Sequence, residues 1–241
     1  MLDRILCLAN SYKHEHRCFA GISLASKRWV RLIGNSVPGC LTLREASYAD
    51  GRSIRLLDIF EVRLGAPCNS QSHPEDIHLA PHTLRFIERF DQSSQLDKLV
   101  EHVSKAPVVL QGHSDRVYRR LIENSPVRGS IELVKPDDLW WWIRDEKGRR
   151  KYRALFRIGS ANRIRYDLAV TDPAWLDQLQ LLSPGIYPDE LLCGDKPCKT
   201  LLTVSLTECF EGFHYKIAAG VISAPGFVRT SAHIAPTIRT R

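Results

Sequence analysis

Short apolar segments bounded by polar or turn-forming residues dominate the first third of the chain. Segments 4–9, 17–23, 28–34 and 55–64 are rich in leucine, β-branched and aromatic residues, and Gly, Pro, Asn or Ser flank them. Segments of this length and composition predict β-strands. The same rhythm returns after about residue 127, in "SIELV", "LWWWIR", "RKYRALFRI", "RIRYDLAV", "KTLLTVSLTE" and "HYKIAAGVIS". The pattern therefore predicts two sets of strands.

Three short stretches have a helical pattern instead. Apolar residues recur at spacings of three and four in 91–104 and again in 114–124, where Ser114 is the candidate N-cap. A third stretch begins at Pro173, a residue that suits a first helical turn, and Asp172 is its candidate N-cap. We expect these helices to be short connections between strands.

This order of elements predicts a mainly β fold with minor α content, made of two small barrels in tandem. We expect a first barrel with a helical extension over residues 1–110, a helical connector over 111–126 and a second barrel over 127–225. The arginine-containing tail, 226–241, is predicted to be flexible.

A predicted hairpin in the second set of strands carries a basic face. Side chains alternate along a strand, and the even positions are apolar in both 151–158 and 163–170. The turn "GSAN" joins the two strands into a hairpin. If their apolar side chains lie on the same side of the sheet, their basic side chains lie together on the opposite side. Asp167 can offset only part of that charge, and an acid from elsewhere or an anionic ligand must offset the rest. The basic residues concerned are Arg153, Arg157, Arg163 and Arg165.

Three consecutive tryptophans precede this hairpin. Alternation places Trp140 and Trp142 on one face of the strand and Trp141 on the other, so at least one is expected near the surface. Exposed aromatic side chains beside arginines are typical of single-stranded nucleic-acid binding. The alternative is that the tryptophans cover the open end of a barrel and the arginines form a solvated face.

Composition and charge favour a globular protein with an anionic partner. Among 241 residues, 44% are hydrophobic and 25% are charged, and the net charge is +7. No apolar run of about 18 residues and no signal-peptide pattern occur, so we expect a cytoplasmic protein without a membrane partner. The seven cysteines are an odd, scattered set, which favours free thiols over a disulfide framework.

No familiar catalytic motif is present, so we expect a binding protein rather than an enzyme, with no cofactor. A metal site is the competing interpretation, because imidazole, thiolate and carboxylate groups suit zinc or manganese. Polar loop residues explain the same groups equally simply. The candidates are His14, His16 and Cys18, then His73, Glu75, Asp76, His78 and His82, and the pair Cys193 and Cys198.

Five segments, taken together, resemble one bacterial family, the dual OB-fold domain family. They are "LANSYKHEHRCFAGI", "WVRLIG", "LLDIFEV", "YDLAVTDP" and "VSLTECFEGFHYKIAAGVI". The resemblance implies two tandem OB-like barrels and a setting in prokaryotic conflict and defence systems. It implies no catalytic residues. OB-folds commonly bind oligonucleotides on the face of strands 2 and 3, although fold alone does not fix function.

Our first hypothesis is therefore a recognition module that binds single-stranded DNA or RNA. A nucleotide or small-ligand sensor feeding a protein effector is the second hypothesis, and a metal-dependent nuclease is the third. In the first barrel, the predicted loop 10–13 offers Tyr12 and Lys13 to a phosphate or base. In the second barrel, the four arginines named above would contact phosphates and Trp141 would stack on bases, with Tyr152 as its neighbour.

Overall fold

The first six strands form a closed barrel with one added strand. The computed structural model describes residues 2–13, 15–34, 39–80, 84–91, 98–159, 165–192 and 199–224. The strands are β1 (Leu2–Lys13), β2 (His16–Ser23), β3 (Trp29–Ile33), β4 (Asp58–Pro67), β5 (Asp76–Leu79) and β6 (Arg85–Arg89). Their order is β1-β2-β3-β5-β4, and β1 also pairs with β4 and closes the ring, while β6 pairs with the outer side of β4. The parallel pairing of β3 with β5 within an otherwise antiparallel ring is the strand arrangement of an OB-fold.

Strand β1 is longer than its sequence pattern indicates. Residues 10–13, predicted as a loop, continue the strand and pair with β2 as far as Lys13 opposite His16. A bulge between Cys7 and Ala9 lets the strand bend, so that residues 2–6 pair with β4 and residues 5–13 pair with β2. Residues 10–13 lie at the rim of the barrel, where Tyr12 is exposed and Asn10 and Lys13 are half-buried, while Ser11 is buried.

The remaining strands form a second sheet that repeats the order of the first. They are β7 (Arg116–Tyr118), β8 (Ile131–Val134), β9 (Asp138–Glu146), β10 (Arg149–Arg157), β11 (Tyr166–Val170), β12 (Gly185–Pro188), β13 (Lys199–Phe210) and β14 (Phe213–Ala224). The path is β12-β9-β10-β11-β14-β13-β8, with β11 and β14 parallel and β7 on β14. Only three residues separate β8 from β9, so the two act as one interrupted first strand. Its first half pairs with β13 and its second half with β10.

The helices are short. They are α1 (Arg119–Asn124), α2 (Pro173–Leu179) and α3 (Asp189–Leu192). The prediction for α2 is confirmed, since Asp172 Oδ1 accepts hydrogen bonds from the N–H groups of Ala174 at 3.0 Å and Trp175 at 3.4 Å. The predicted cap at Ser114 is wrong: residues 116–118 pair with β14 before α1 begins. Of the helix expected over 91–104, residues 92–97 lie outside the described residues, and 98–100 are helical.

The two barrels pack directly against each other through β1 and β14. The carbonyl oxygen of Leu8 accepts a hydrogen bond from Thr203 Oγ1 at 2.5 Å, and a Cβ atom on Gly220 would stand 2.3 Å from the same oxygen. Glycine is therefore required here because the two backbones touch. Ser130 donates from both its N–H and its hydroxyl group to the carboxylate of Glu75, at 2.7 and 2.8 Å. Apolar residues from both barrels form one shared cluster: Leu6, Leu8, Ile22, Leu57, Ile59, Leu99, Leu133, Leu201 and Ile222.

The mainly β fold with two OB-like units is as the sequence predicts. The exact division at residues 110, 126 and 225 stays a prediction, and the tail 226–241 lies outside the described residues. None of the described helices has the length and apolar character needed to cross a membrane.

Candidate nucleic-acid interface

The outer face of β9, β10, β11 and β12 combines aromatic, apolar and basic side chains in rows. Residues directly opposite one another in adjacent strands share a face, so the register defines each row. The first row contains Ile186, Trp142, Arg153 and Ala169, and the second contains Pro188, Trp140, Leu155 and Asp167. Asp138 and Arg157 lie opposite each other beyond the second row, and Arg144 and Lys151 lie opposite each other near the β9–β10 turn. We call this surface the β9–β12 face.

Aromatic and aliphatic groups on the β9–β12 face are accessible to a ligand. Trp140 is 37% exposed and Ile186 is 45% exposed, while Trp142 is half-buried beneath the guanidinium of Arg144. The Arg144 carbon Cζ stands 4.3 Å from the centre of the Trp142 ring, within cation–π range. Trp140 and Trp142 are two residues apart on one strand, so their Cα atoms are about 7 Å apart along it. The two indole rings are therefore two separate surfaces on which bases can stack.

Acids from the same sheet offset several of the arginines. Arg153 Nε donates to Asp167 Oδ1 at 2.6 Å, and Arg157 donates from its guanidinium to Asp138 Oδ2 at 2.7 Å. The charge that the sequence left unbalanced is thus partly neutralised within the face, as the solvated-face alternative requires. Arg165 directly precedes β11, two residues before Asp167 of the second row; it is exposed, and no acid among the described residues pairs with it. Arg163 lies outside the described residues.

Two predicted stacking residues are on the wrong side of the sheet. Trp141 is fully buried inside the second barrel, where its indole N–H donates to Asp189 Oδ1 at 2.8 Å and its ring lies 4.9 Å from that of Trp175. Tyr152 packs half-buried against the same core. Neither side chain lies on the β9–β12 face: the fully buried Trp141 has no ring surface open to a base, and the role of the half-buried Tyr152 stays a prediction. The aromatic residues of this face are Trp140 and Trp142.

The sequence contains a signal that would have identified Trp140 and Trp142. The signal is the dipeptide Lys147–Gly148 between the two strand segments, which suits a two-residue hairpin turn. In the structure both residues have the positive φ that such a turn requires, 50° and 74°. A two-residue turn at that place pairs Glu146 with Arg149, and hence every even position of β9 with an odd position of β10. The even-numbered tryptophans and the odd-numbered arginines must then share a face.

The predicted site in the first barrel lies next to the edge of this face. Tyr12 is 49% exposed, and the guanidinium of Arg17 stacks 4.0 Å from the centre of its ring. The backbone N–H of Tyr12 donates to the carbonyl oxygen of Thr171 at 3.1 Å, two residues beyond Ala169 of the first row. Tyr12, at the rim of the first barrel, therefore lies beside the end of β11. Lys13 turns toward the joint between the barrels, with its Nζ 3.8 Å from Glu208.

The equivalent face of the first barrel is covered. Its strand 2–3 side chains, which point away from the barrel interior, include Ala20, Ile22 and Arg31. Ala20 packs with Ile131 and Ala219 of the second barrel, and Ile22 belongs to the shared cluster. The guanidinium of Arg31 lies 3.6 Å from Glu208 of β13. The second barrel thus occupies the surface on which a single OB-fold commonly binds its ligand.

A polar cleft opens at the joint beside these residues. It has a volume of about 300 Å³. Nearby, Arg31 forms a bidentate pair with Asp76, with N···O distances of 2.5 and 2.9 Å. Burial lowers the pKa of His73 to about 3, and its ring nitrogens contact Ser72 Oγ and the carbonyl oxygen of Leu206. The cleft is lined by Gln71, Ser72, Arg119, Ile122, Glu123, Glu208, Cys209 and His214.

The predicted metal ligands are not assembled in the part of the chain that can be described. No group of three or more His, Cys, Asp or Glu side chains there could hold a metal ion. His73 and Asp76 lie at the joint. There the Asp76 carboxylate is paired with Arg31, and the Glu75 carboxylate accepts hydrogen bonds from Ser130. His14, His82, Cys193 and Cys198 are outside the described residues.

Comparisons with known proteins agree with the topology. A model of the dual OB-containing domain family matches residues 3–221, from β1 to within β14. The match confirms the resemblance seen in the sequence and spans both barrels. A search of the curated proteins finds no match.

Proposed function

The chain belongs to the dual OB-containing domain family, and from that premise we propose that it binds single-stranded nucleic acid on the β9–β12 face. The observation that supports this most is that two outward tryptophans of β9 lie in register with arginines of the adjacent β10, so that they border the surface of β10 and β11, strands 2 and 3 of this OB-unit. In OB-folds this surface and its flanking loops commonly bind oligonucleotides.

The chemistry of the face suits an unpaired strand. Stacking of a base on an aromatic ring contributes about 1–3 kcal/mol, and the neighbouring guanidinium groups can contact phosphates. Arg153 and Arg157 are already paired with carboxylates, so a phosphate must compete with Asp167 and Asp138 for them. Arg165 has no such competitor among the described residues. We therefore expect Arg165 to make the strongest phosphate contact and affinity to be moderate.

Fluorescence anisotropy with labelled single-stranded oligonucleotides over a salt series tests the proposal. Each phosphate contact on a single strand adds about −0.7 to the slope of log K against log salt, so three arginines give a slope near −2. Arg165→Glu should weaken binding and reduce the slope, whereas Arg128→Glu, at an exposed site outside the face, changes the net charge identically and controls for it. Affinity that is absent, flat with salt or equally weakened by both variants would refute the proposal.

The cleft at the joint favours a second candidate function, a nucleotide or small-ligand sensor. Its volume of about 300 Å³ is at the lower end for ligand pockets, and His214, only 5% exposed, lines it beside Glu208 and Arg119. A ligand at 100 times its Kd would stabilise the fold by about 2.7 kcal/mol. A thermal-shift screen of mononucleotides should then show stabilisation, and no shift at millimolar concentration would exclude this function.

In either case we propose that the chain is the recognition module of a bacterial defence-type system and acts through a protein effector. This setting rests on the resemblance. Affinity capture from the native host, with and without the bound ligand, tests it. The expected result is a partner protein retained in a ligand-dependent manner, and capture that is independent of ligand would contradict it.

A further inference from the structure

Two cysteines of the first barrel face each other at the joint. The Sγ atoms of Cys18 and Cys40 are 3.6 Å apart. The neighbouring residues Arg17 and Leu41 exchange both of their backbone N–H···O bonds, at 2.9 and 2.8 Å, which places Cys40 opposite Cys18 in an antiparallel pair. Residues opposite each other beside such a pair have Cα atoms about 4.5 Å apart, and disulfides span about 4.4–6.8 Å.

We propose that Cys18 and Cys40 are a redox-active pair that forms a reversible disulfide when the protein meets a hydroperoxide. The sulfur atoms need to approach by about 1.5 Å to reach the bond length of about 2.05 Å, a distance that side-chain rotation can supply. This inference does not depend on nucleic-acid binding.

The surroundings of the pair favour a thiolate. The pKa of Cys40 is lowered to about 7, because Cys18 donates a hydrogen bond to the thiolate and because Lys13 and Arg31 bring positive charge. The pKa of Cys18 is raised by the same hydrogen bond and by burial, so Cys18 keeps the proton. Thiolates rather than thiols attack peroxides, and a low pKa beside cations is the signature of a reactive cysteine.

The reaction balances with one hydroperoxide. The Cys40 thiolate attacks a peroxide oxygen, an S–O bond forms, and the O–O bond breaks with loss of hydroxide or alkoxide. The Cys18 thiol gives its proton to that leaving group, and the resulting Cys18 thiolate attacks the sulfur of the Cys40 sulfenic acid; the S–S bond forms, the S–O bond breaks, and hydroxide departs and takes a proton from solvent. Two thiols lose two electrons, and the peroxide gains them. Cys40 is only 1% exposed and Cys18 is half-buried, so a small oxidant reaches the Cys40 sulfur from the side of Cys18.

Oxidation would change the charge at the joint. The disulfide removes the thiolate that Lys13 and Arg31 face, and leaves Glu208 and Asp76 as the acids beside them. It also ties β2 covalently to the segment beside Leu41, next to Arg17 and its partner Tyr12. The pair is thus placed to make the rim of the first barrel respond to oxidants.

Peptide mapping of the native, full-length protein tests the proposal without any variant. After brief exposure to hydrogen peroxide and alkylation with iodoacetamide, trypsin releases residues 18–27 and 32–44, each with one cysteine. We expect these two peptides joined, lighter than their sum by two hydrogens, about 2 Da, and separated by dithiothreitol. Cys68 and Cys209 should be recovered as alkylated thiols.

Variants then assign the bond. Cys18→Ser should abolish the linked peptide and leave Cys40 to be oxidised further to the sulfinic acid, whereas Cys209→Ser, at an exposed site, should leave the linkage unchanged. Recovery of peptides 18–27 and 32–44 as separate alkylated thiols, or as unlinked sulfinic acids, in the unsubstituted protein would overturn the proposal.

Discussion

Gly220→Ala should separate the two barrels, because position 220 is where their backbones meet. The added Cβ would stand 2.3 Å from the carbonyl oxygen of Leu8, 3.2 Å from its carbon and 3.3 Å from the Cα of Ala9. All three neighbours are backbone atoms, so no side-chain rotation can relieve the contact. The strands must move apart by about 1 Å to restore ordinary van der Waals distance.

The cost follows from that displacement. Overpacking in a close-packed interior costs about 1–3 kcal/mol. The same shift lengthens the 2.5 Å hydrogen bond from Thr203 Oγ1 to Leu8 beyond hydrogen-bonding range, and losing it costs about another 1 kcal/mol. A total of about 2–4 kcal/mol corresponds to a fall in Tm of about 10 °C in a protein of this length.

Thermal unfolding followed by circular dichroism measures the effect. Gly148→Ala is the control, since Gly148 has a φ of +74° with open space around its Cβ position and should lose only about 1–2 kcal/mol from the left-handed backbone. If Gly220→Ala unfolds at the temperature of the unsubstituted protein, or is no less stable than Gly148→Ala, then the barrels are not held by this backbone contact.

Three further outcomes are expected. Asp76→Ala removes the bidentate partner of Arg31, whose side chain is only 8% exposed, and should lower the free energy of unfolding by about 3 kcal/mol in urea titration; a loss under 1 kcal/mol would contradict a buried ion pair. Burial lowers the pKa of His73 to about 3, so below pH 6.5 its imidazole is protonated in the unfolded chain but stays neutral in the folded chain. The free energy of unfolding therefore falls as the pH drops from 6.5 to 3. The stability advantage of the unsubstituted protein over His73→Gln should therefore shrink by about 2 kcal/mol between pH 7 and pH 4.5, and a constant difference would show that His73 is not buried as described. Oligonucleotides should quench tryptophan fluorescence, and Trp140→Phe should remove much of that quenching; equal quenching in the variant would exclude stacking on Trp140.

Features that depend on local alternation could be predicted from the sequence. The apolar even positions of β10 and β11 lie inside the second barrel, as in the pairs Ala154–Leu168 and Phe156–Tyr166. Asp172 caps α2 because a carboxylate before a proline-led turn finds free N–H groups there whatever the rest of the fold does. Each of these predictions uses only neighbours within a few residues.

Features that depend on contacts between distant segments could not be predicted. Whether Trp141 or its two neighbours face solvent depends on which side of the sheet α2 and α3 cover. Asp189, which accepts the hydrogen bond from the Trp141 indole, is 48 residues away from it in the sequence. The covering of β2 and β3 by the second barrel brings Arg31 to Glu208, which no periodic pattern relates. The length of β1 was also missed, since residues 10–13 are polar and acquire strand structure only by pairing with β2.

The packing of the barrels leads to a prediction about stoichiometry. Two OB-folds in one chain suggest two binding sites, but the strand 2–3 face of the first barrel is buried against the second, whereas the β9–β12 face carries exposed Trp140 and Ile186. One OB-fold occupies roughly 4–16 nucleotides, so we expect one oligonucleotide per chain. Affinity should rise with length until the strand also reaches Tyr12, whose backbone is bonded to Thr171 beside the face. Titration with oligothymidylates of increasing length measures both quantities, and Tyr12→Ala should shorten the length at which affinity stops rising. Two equivalent sites per chain, each saturated by a short oligonucleotide, would mean that the joint between the barrels opens on binding.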